Sequence, residues 1–248
     1  MKIRSVSLLL SIAALFGFPA PEAFSQAAAP VPTKPVPEST PEVAKVPQRI
    51  RYKPPVNGAP AVRGTGGTRG GGGDLPALYV LAPEHEALTT QSQPALFWFQ
   101  SAPAKANFEI TVIEPKNPKP LIKRELPNEQ KAGIHSLSLA RQEITLKPNL
   151  SYRWSVALIP DSKSRSKDII ATGGIRHVEA PSGLTAKIEK ASQAERAAIY
   201  AEAGFWYDAL QSISLAIAAE PKNAGLHKLR VALLEQGKLK EAAAAESK

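Results

Sequence analysis

Cysteine is absent from this chain of 248 residues. Disulfides, thiolate metal sites, a cysteine nucleophile and an acylated cysteine anchor are therefore excluded. The four histidines lie far apart and never at the i, i+4 spacing of a helical metal pair, so we expect no metal and no cofactor. A Gly-x-Ser-x-Gly nucleophile elbow is also missing. These absences favour a protein that is not an enzyme.

Long apolar runs are scarce as well. The clearest one, Val6 to Phe18, follows Lys2 and Arg4 and is about 13 residues long, whereas a membrane span needs roughly 20. Small residues around Ser25 are those that a signal peptidase cleaves. We therefore predict a signal peptide over residues 1–25, export to the periplasm or cell envelope and extracellular space, and no transmembrane segment in the mature chain.

Residues 26–73 are rich in proline and then in glycine. Proline fixes φ and removes a donor, so neither helix nor sheet propagates, and we predict a disordered, semi-rigid tether. The glycine run ends at Gly73 and is followed by Asp74 and Leu75, where a Walker loop needs Lys and then Ser or Thr. The run therefore predicts a flexible basic hinge before the folded region.

Between residues 74 and 180 the apolar period is two. Alternation and turn residues predict about seven strands, the number typical of a two-sheet immunoglobulin or fibronectin III-like sandwich. The predicted strands lie near residues 78–81, 95–99, 108–112, 121–126, 134–139, 152–158 and 169–178.

Leu146 to Tyr152 resembles the Leu-x-Pro-x-x-x-Tyr corner of fibronectin type III domains, in which the tyrosine hydroxyl closes a turn. Alternation places Trp98 and Trp154 inside the sandwich. Phe97 and Phe99 then point the other way and need a cover.

Residues 186–248 return to a helical period. Two amphipathic helices joined at Gly204 are predicted, the second ending at Pro221. The spacing of Tyr200, Gly204, Ala209, Ala216 and Pro221 resembles one tetratricopeptide unit. Because one such unit does not bury its own apolar face, Trp206 and Tyr207 need a cover from the sandwich, a second copy or a partner.

Three blocks of the sequence, GTGGTRGGGG, LAPEHEALTTQSQPALFWF and ERAAIYAEAGFWYDAL, resemble the pattern of Domain of Unknown Function 928, over roughly residues 57 to 234. The resemblance implies an exported, cyanobacterial-type protein with this architecture. The resemblance implies no particular enzymatic activity or ligand.

The fold class that we predict is α+β as separate units: the sandwich, then the tetratricopeptide-like helical hairpin. With a formal net charge of +9, the expected function is a non-enzymatic cell-envelope interaction or scaffold module that binds a protein partner or an anionic envelope polymer. Nucleic acid is not expected, because no aromatic residues interleave with the charges. The predicted partner-binding residues are Trp206, Tyr207, Phe97, Phe99, Lys163, Arg165 and Lys167.

Two other functions stay open. A hydrolase acting on envelope glycan or peptide would use paired carboxylates, which leave no spacing in a sequence. The candidate acids are Glu84, Glu86, Glu109, Glu114, Asp168 and Asp208. The second is a self-associating structural component of the envelope, which makes a homo-oligomer possible.

Overall fold

The computed structural model describes residues 46–55, 75–117 and 119–247. The predicted signal peptide, the predicted hinge and most of the predicted tether lie outside these residues. Within them, the prediction of a β-sheet region followed by C-terminal helices is confirmed: the strands lie before residue 178 and the α-helices after residue 183.

Ten strands form in the described part of the chain. Four of them, β1, β2, β4 and β7, have only two or three residues, too few to show clear alternation, and the sequence-based prediction missed all of these except β1. Together with β1, the other six correspond to the predicted seven. The strands are β1 (Leu78–Val80), β2 (Ala87–Thr89), β3 (Ala95–Gln100), β4 (Ala104–Lys105), β5 (Asn107–Ile113), β6 (Ile122–Leu126), β7 (Glu129–Gln130), β8 (Gly133–Ser138), β9 (Ser151–Ile159) and β10 (Ile169–His177).

The strands make sheets of three, five and two members, in the orders β1-β3-β8, β2-β10-β9-β5-β6 and β4-β7. Neighbours are antiparallel except β2 and β10, which run parallel. Alternate side chains of β5 and β10 are buried, among them Ile110 and Val112 on β5. In these strands the period of two has its expected cause, one apolar face, whereas β3 is buried on both faces.

The turn before β9 is closed by the hydroxyl of Tyr152, which accepts a hydrogen bond from the backbone N–H of Lys147 at 3.0 Å. Tyr152 is itself buried. The side chain thus satisfies a backbone donor and fixes the entry into the longest pair of strands, as the local sequence pattern predicts.

Five α-helices follow the sheets in the described residues, and none of them is long and apolar enough to cross a membrane. Ser192 and Glu195 form a capping box at the start of the second helix. Gly204 has a φ of +87°, the left-handed conformation that favours glycine, and links that helix to the next. The helices are α1 (Leu184–Glu189), α2 (Gln193–Glu202), α3 (Trp206–Ala219), α4 (Ala224–Gln236) and α5 (Lys240–Glu246).

Residues 46–55, which we call the strap, pack against the helices. The strap backbone donates from Lys53 N to Ala201 O at 3.0 Å and from Tyr52 N to Gln236 Oε1 at 2.7 Å. Ile50 and Tyr52 are buried. This stretch falls within the predicted tether, and its packed conformation differs from the disordered one expected there, because apolar residues alternate with its charges.

The helices also cover the sheets. Helix α3 contacts β2 and β3, and α5 contacts β8. The buried apolar residues of the strap, the sheets and the helices belong to one hydrophobic core. The sequence left open whether the sheets, a second copy or a partner covers the apolar face of the helices. In the structure the sheets of the same chain cover it.

Gly237, between α4 and α5, should be intolerant of a side chain. A Cβ at this position would lie 2.3 Å from Cη2 of Trp206, so something must shift. We expect Gly237→Ala to lower the free energy of unfolding by about 1–3 kcal/mol, the usual penalty for overpacking, measured by urea denaturation. In a Trp206→Phe background the additional loss should shrink. An equal loss in both backgrounds would contradict the assigned clash.

Candidate functional site

Trp206 lies where the strap, the sheets and the helices meet. Its indole Nε1 donates to the backbone oxygen of Leu81 at 2.8 Å, and its ring meets that of Tyr52 edge-on at 5.0 Å. The side chain has no solvent exposure. Trp206 therefore anchors the first turn of α3 to the sheets and is not accessible to a partner.

Tyr207, the next residue of α3, has a similar anchoring role. Its hydroxyl accepts from Trp154 Nε1 at 2.8 Å and donates to the backbone oxygen of Gly174 at 2.9 Å. Burial raises the pKa of this hydroxyl above its usual value. The proton thus stays on the oxygen, and Tyr207 is a neutral link between α3 and the five-stranded sheet.

Phe97 and Phe99, on β3, are buried on the face opposite to Trp98, with exposures of 6% and 4%. The strand contacts α3, and neighbouring β8 contacts α5. The prediction that these two residues need a cover fits this arrangement. The same arrangement does not fit the predicted role of Phe97, Phe99, Trp206 and Tyr207 in partner binding. All four aromatic side chains are used in the chain's own packing.

The three predicted basic residues, Lys163, Arg165 and Lys167, lie in the exposed loop between β9 and β10. Arg165 is engaged within the chain: its Nε is 2.6 Å from Asp168 Oδ2 and one terminal nitrogen is 3.5 Å from Glu109 Oε1. The two carboxylates offset the positive charge of the loop. Lys163 and Lys167 remain its outward cations.

The candidate acids of a hydrolase are all occupied by partners within the described residues. Glu109 and Asp168 are the two that share a neighbour, since both contact the guanidinium of Arg165. That guanidinium lies between them, where a scissile bond would have to bind. The pairs of the others are Glu84 with Lys238, Glu86 with Arg176, Glu114 with Lys147, and Asp208 with Thr90.

Asp208 is the most deeply buried of these acids. It accepts from the backbone N–H of Thr90 at 3.0 Å and from its hydroxyl at 2.6 Å. Burial raises the pKa of the Asp208 carboxyl, and the hydrogen bonds from the Thr90 segment oppose that shift. Asp208 thus ties the start of α3 to the residues after β2, a structural use of a carboxylate.

Within the cluster Glu84-His85-Glu86, the first residue is exposed, whereas His85 and Glu86 are integrated into the packed structure. Tyr52 Oη lies 2.7 Å from His85 Nε2, and burial lowers the pKa of that histidine while Glu84 opposes the shift. Glu86 is buried beside Arg176 at 3.0 Å. No group of three or more potential metal ligands is found within the described ranges.

The strap carries a set of exposed cations that sequence reasoning missed. Arg49, Arg51 and Lys53 alternate with the buried Ile50 and Tyr52 and so share the outward side. We call these three residues the basic ladder. The alternation is visible in the sequence and was the available signal, but the surrounding prolines directed the interpretation to a tether.

A cleft of about 430 Å³ lies beside the strap, between α1 and α2. Pro47 of the strap lines it together with Lys187 of α1 and Lys190, the residue that follows α1, both exposed. Glu195, the acid that also lines it, is held in the capping box, and the hydrogen bonds from Ser192 lower its pKa. We call this the lysine cleft. It adds two ammonium groups to the positive charge of this side of the chain.

The architecture defines an α+β protein in which a β-sheet region is followed by C-terminal helices that pack on it. The model of the Domain of Unknown Function (DUF928) family matches residues 64–247. The chain therefore belongs to this family. The matched region includes both the sheets and the helices.

No curated protein matches the chain. Among solved structures, it is similar to Astrotactin-2, described as a conserved vertebrate-specific and perforin-like membrane protein involved in neuronal development, with 10% identity and a TM-score of 0.27. The match covers 69% of this chain and 35% of that chain. A similarity this distant supports no conclusion about fold or function.

The buried carboxyl of Asp208 makes a testable prediction about pH. Because its pKa is raised in the folded state, the folded protein binds the proton more tightly than the unfolded one, and this stabilisation is lost as the pH rises. Relative to Asp208→Asn, the wild type should lose stability as the pH rises above about 4, the ordinary pKa of an aspartate in the unfolded chain. Urea denaturation of both proteins on either side of that pH measures the difference.

Glu202→Gln is the matched control, for which the pH dependence of stability should have the opposite sign. The ion pair with Lys53 lowers the pKa of Glu202, so its contribution is lost as the pH falls. The wild type should therefore gain stability over Glu202→Gln as the pH rises through about 4. Parallel pH profiles for the two variants would contradict both assignments.

Proposed function

We propose that this protein is a non-enzymatic, exported interaction module of the cell envelope that binds an anionic polymer through the basic ladder and the lysine cleft. The observation that carries the proposal is the concentration of five cations on the strap and at the lysine cleft: Arg49, Arg51, Lys53, Lys187 and Lys190. Within the described ranges Lys53 pairs with Glu202, whose carboxylate also attracts Arg49 and Arg51, and no ion pair is found for Lys187 and Lys190.

The spacing of the ladder supports an extended ligand. Residues two apart in an extended segment are separated by about 6.6 Å, so three cations span about 13 Å along one edge. A flexible polyanion meets such a row with several charges at once, whereas a small anion meets only one or two. The charge-balanced loop between β9 and β10 offers no comparable row.

The architecture supports the interaction module more than the hydrolase. We infer a fibronectin III-like sandwich from the strand order of the two larger sheets and from the bond of Tyr152 to Lys147. We also infer tetratricopeptide-like hairpins from α2 with α3 and α4 with α5, each linked through a glycine. Both folds commonly serve binding, and the signal peptide predicted over residues 1–25 directs the protein to the envelope.

Binding to polygalacturonate, a carboxylate polymer, tests this function, with neutral dextran as the control ligand. We expect Arg49→Glu/Arg51→Glu/Lys190→Glu to weaken binding at least tenfold, because three attractions become repulsions. Lys163→Glu/Lys167→Glu should change it less than threefold, because those charges lie elsewhere. Wild-type binding should weaken as salt is added. Equal losses for the two variants, or equal binding of dextran, would contradict the proposal.

A further inference from the structure

The outer face of α4 borders a further cleft of the helical layer. The inner side of this helix is buried through Leu226, Leu229 and Leu233, as expected of an amphipathic helix. The outer side is left open and borders a cleft of about 600 Å³. The residues of α4 that line this cleft are Ala224, His227, Lys228, Val231, Ala232 and Glu235.

One wall of this cleft is held firmly. Arg230 donates from one nitrogen to both oxygens of Glu246, at 2.5 and 2.6 Å, which ties the end of α5 to α4. His227 adds contacts from Nδ1 to Glu246 at 2.5 Å and from Nε2 to the backbone oxygen of Pro221 at 2.9 Å. The shape of the cleft is therefore set before any partner arrives, which lowers the entropic penalty of binding.

The centre of the outer face is small and apolar. Val231 and Ala232 are half-buried there, and Ala224 lies two turns earlier on the same side. Small side chains let a second helix approach closely. A neighbouring helix is therefore a better fit to this surface than a bulky or irregular segment.

The charges on either side of that centre are of opposite sign. Lys228 and Glu235 are exposed, and neither has an ion-pair partner in the described part of the chain. They lie two helical turns apart, about 10.5 Å, at equal distances from the midpoint between Val231 and Ala232. A two-fold axis through this midpoint places Lys228 of one chain opposite Glu235 of another, and the reverse.

We propose that the outer face of α4 binds the same face of a second copy of this chain in an antiparallel, two-fold symmetric contact. Such an interface is self-complementary, as a symmetric dimer requires: two Lys228–Glu235 pairs flank a centre of Val231 and Ala232. The dimer goes beyond polymer binding and does not depend on it. It brings two basic ladders to one particle, which raises the avidity for a repeating polyanion.

The contact area indicates a reversible dimer. A single helix pair buries less than about 1,200 Å², at the low end of specific interfaces, so we expect dissociation in the micromolar range. Sedimentation equilibrium of the full chain between about 1 and about 200 μM, a range around that constant, should show mass rising from monomer to dimer.

A charge-swap experiment tests the arrangement. Lys228→Glu alone places two glutamates together across the interface, and Glu235→Lys alone places two lysines together, so each variant should dimerise at least tenfold more weakly than the wild type. When the two variants are mixed, every pair becomes opposite in charge again. We expect the mixture to form heterodimers as tightly as the wild type.

Two controls make the outcome decisive. The double variant Lys228→Glu/Glu235→Lys should dimerise like the wild type, which separates charge pairing from a folding defect. Lys163→Glu, in a distant exposed loop, should have no effect. A wild type that stays monomeric at the highest concentration would overturn the proposal. So would single variants that dimerise like the wild type, or a mixture that fails to recover dimer formation.

Discussion

The hydrogen bond from the Trp206 indole to the backbone of Leu81, with the packing around it, is the contact on which the rest of the fold depends. Trp206 begins α3, touches Tyr52 of the strap and fills the space that Gly237 leaves between α4 and α5. A single buried ring thus joins elements from three separate regions of the chain. An aromatic side chain buries about 150–250 Å², worth roughly 4–6 kcal/mol at 25 cal/mol per Å².

This arrangement explains how so short a helical region is stable. Isolated repeat hairpins need neighbours to cover their apolar faces. Here the sheets cover α3, with Trp206, Tyr207 and Asp208 as consecutive anchors to Leu81, Gly174 and Thr90. The aromatic surface is consumed in this way, which is why we propose that partners bind the charged and small residues on the outside of the strap and of α4.

The sequence predicted those regions of the fold that depend on local periodicity. Strands such as β5 and β9 and the hairpin at Gly204 carry a clear period of two or 3.6. The strap was missed because its order comes from distant partners: Ala201 and Gln236 satisfy its backbone. Local composition does not report such partners, and the prolines around the strap favour an extended tether.

The candidate site was less predictable than the fold, for a similar reason. Lys163, Arg165 and Lys167 form a basic run in the sequence, yet Glu109, from a different strand, offsets the charge of Arg165. Electrostatics depends on distances in space, so a run of like charge in the sequence does not establish a basic surface. The reverse holds at the lysine cleft, where Pro47 of the strap meets Lys187 and Lys190, which are far from it in the sequence.

Hydrogen exchange of the Trp206 indole N–H, followed by nuclear magnetic resonance, tests most directly the claim that this contact joins the helices to the sheets. If the elements form one cooperative unit, this proton exchanges only on global unfolding, and the free energy from its exchange rate equals that from urea denaturation. Exchange at a free energy several kcal/mol lower, with the β9 and β10 amides still protected, would show that the helices open independently and would contradict the account.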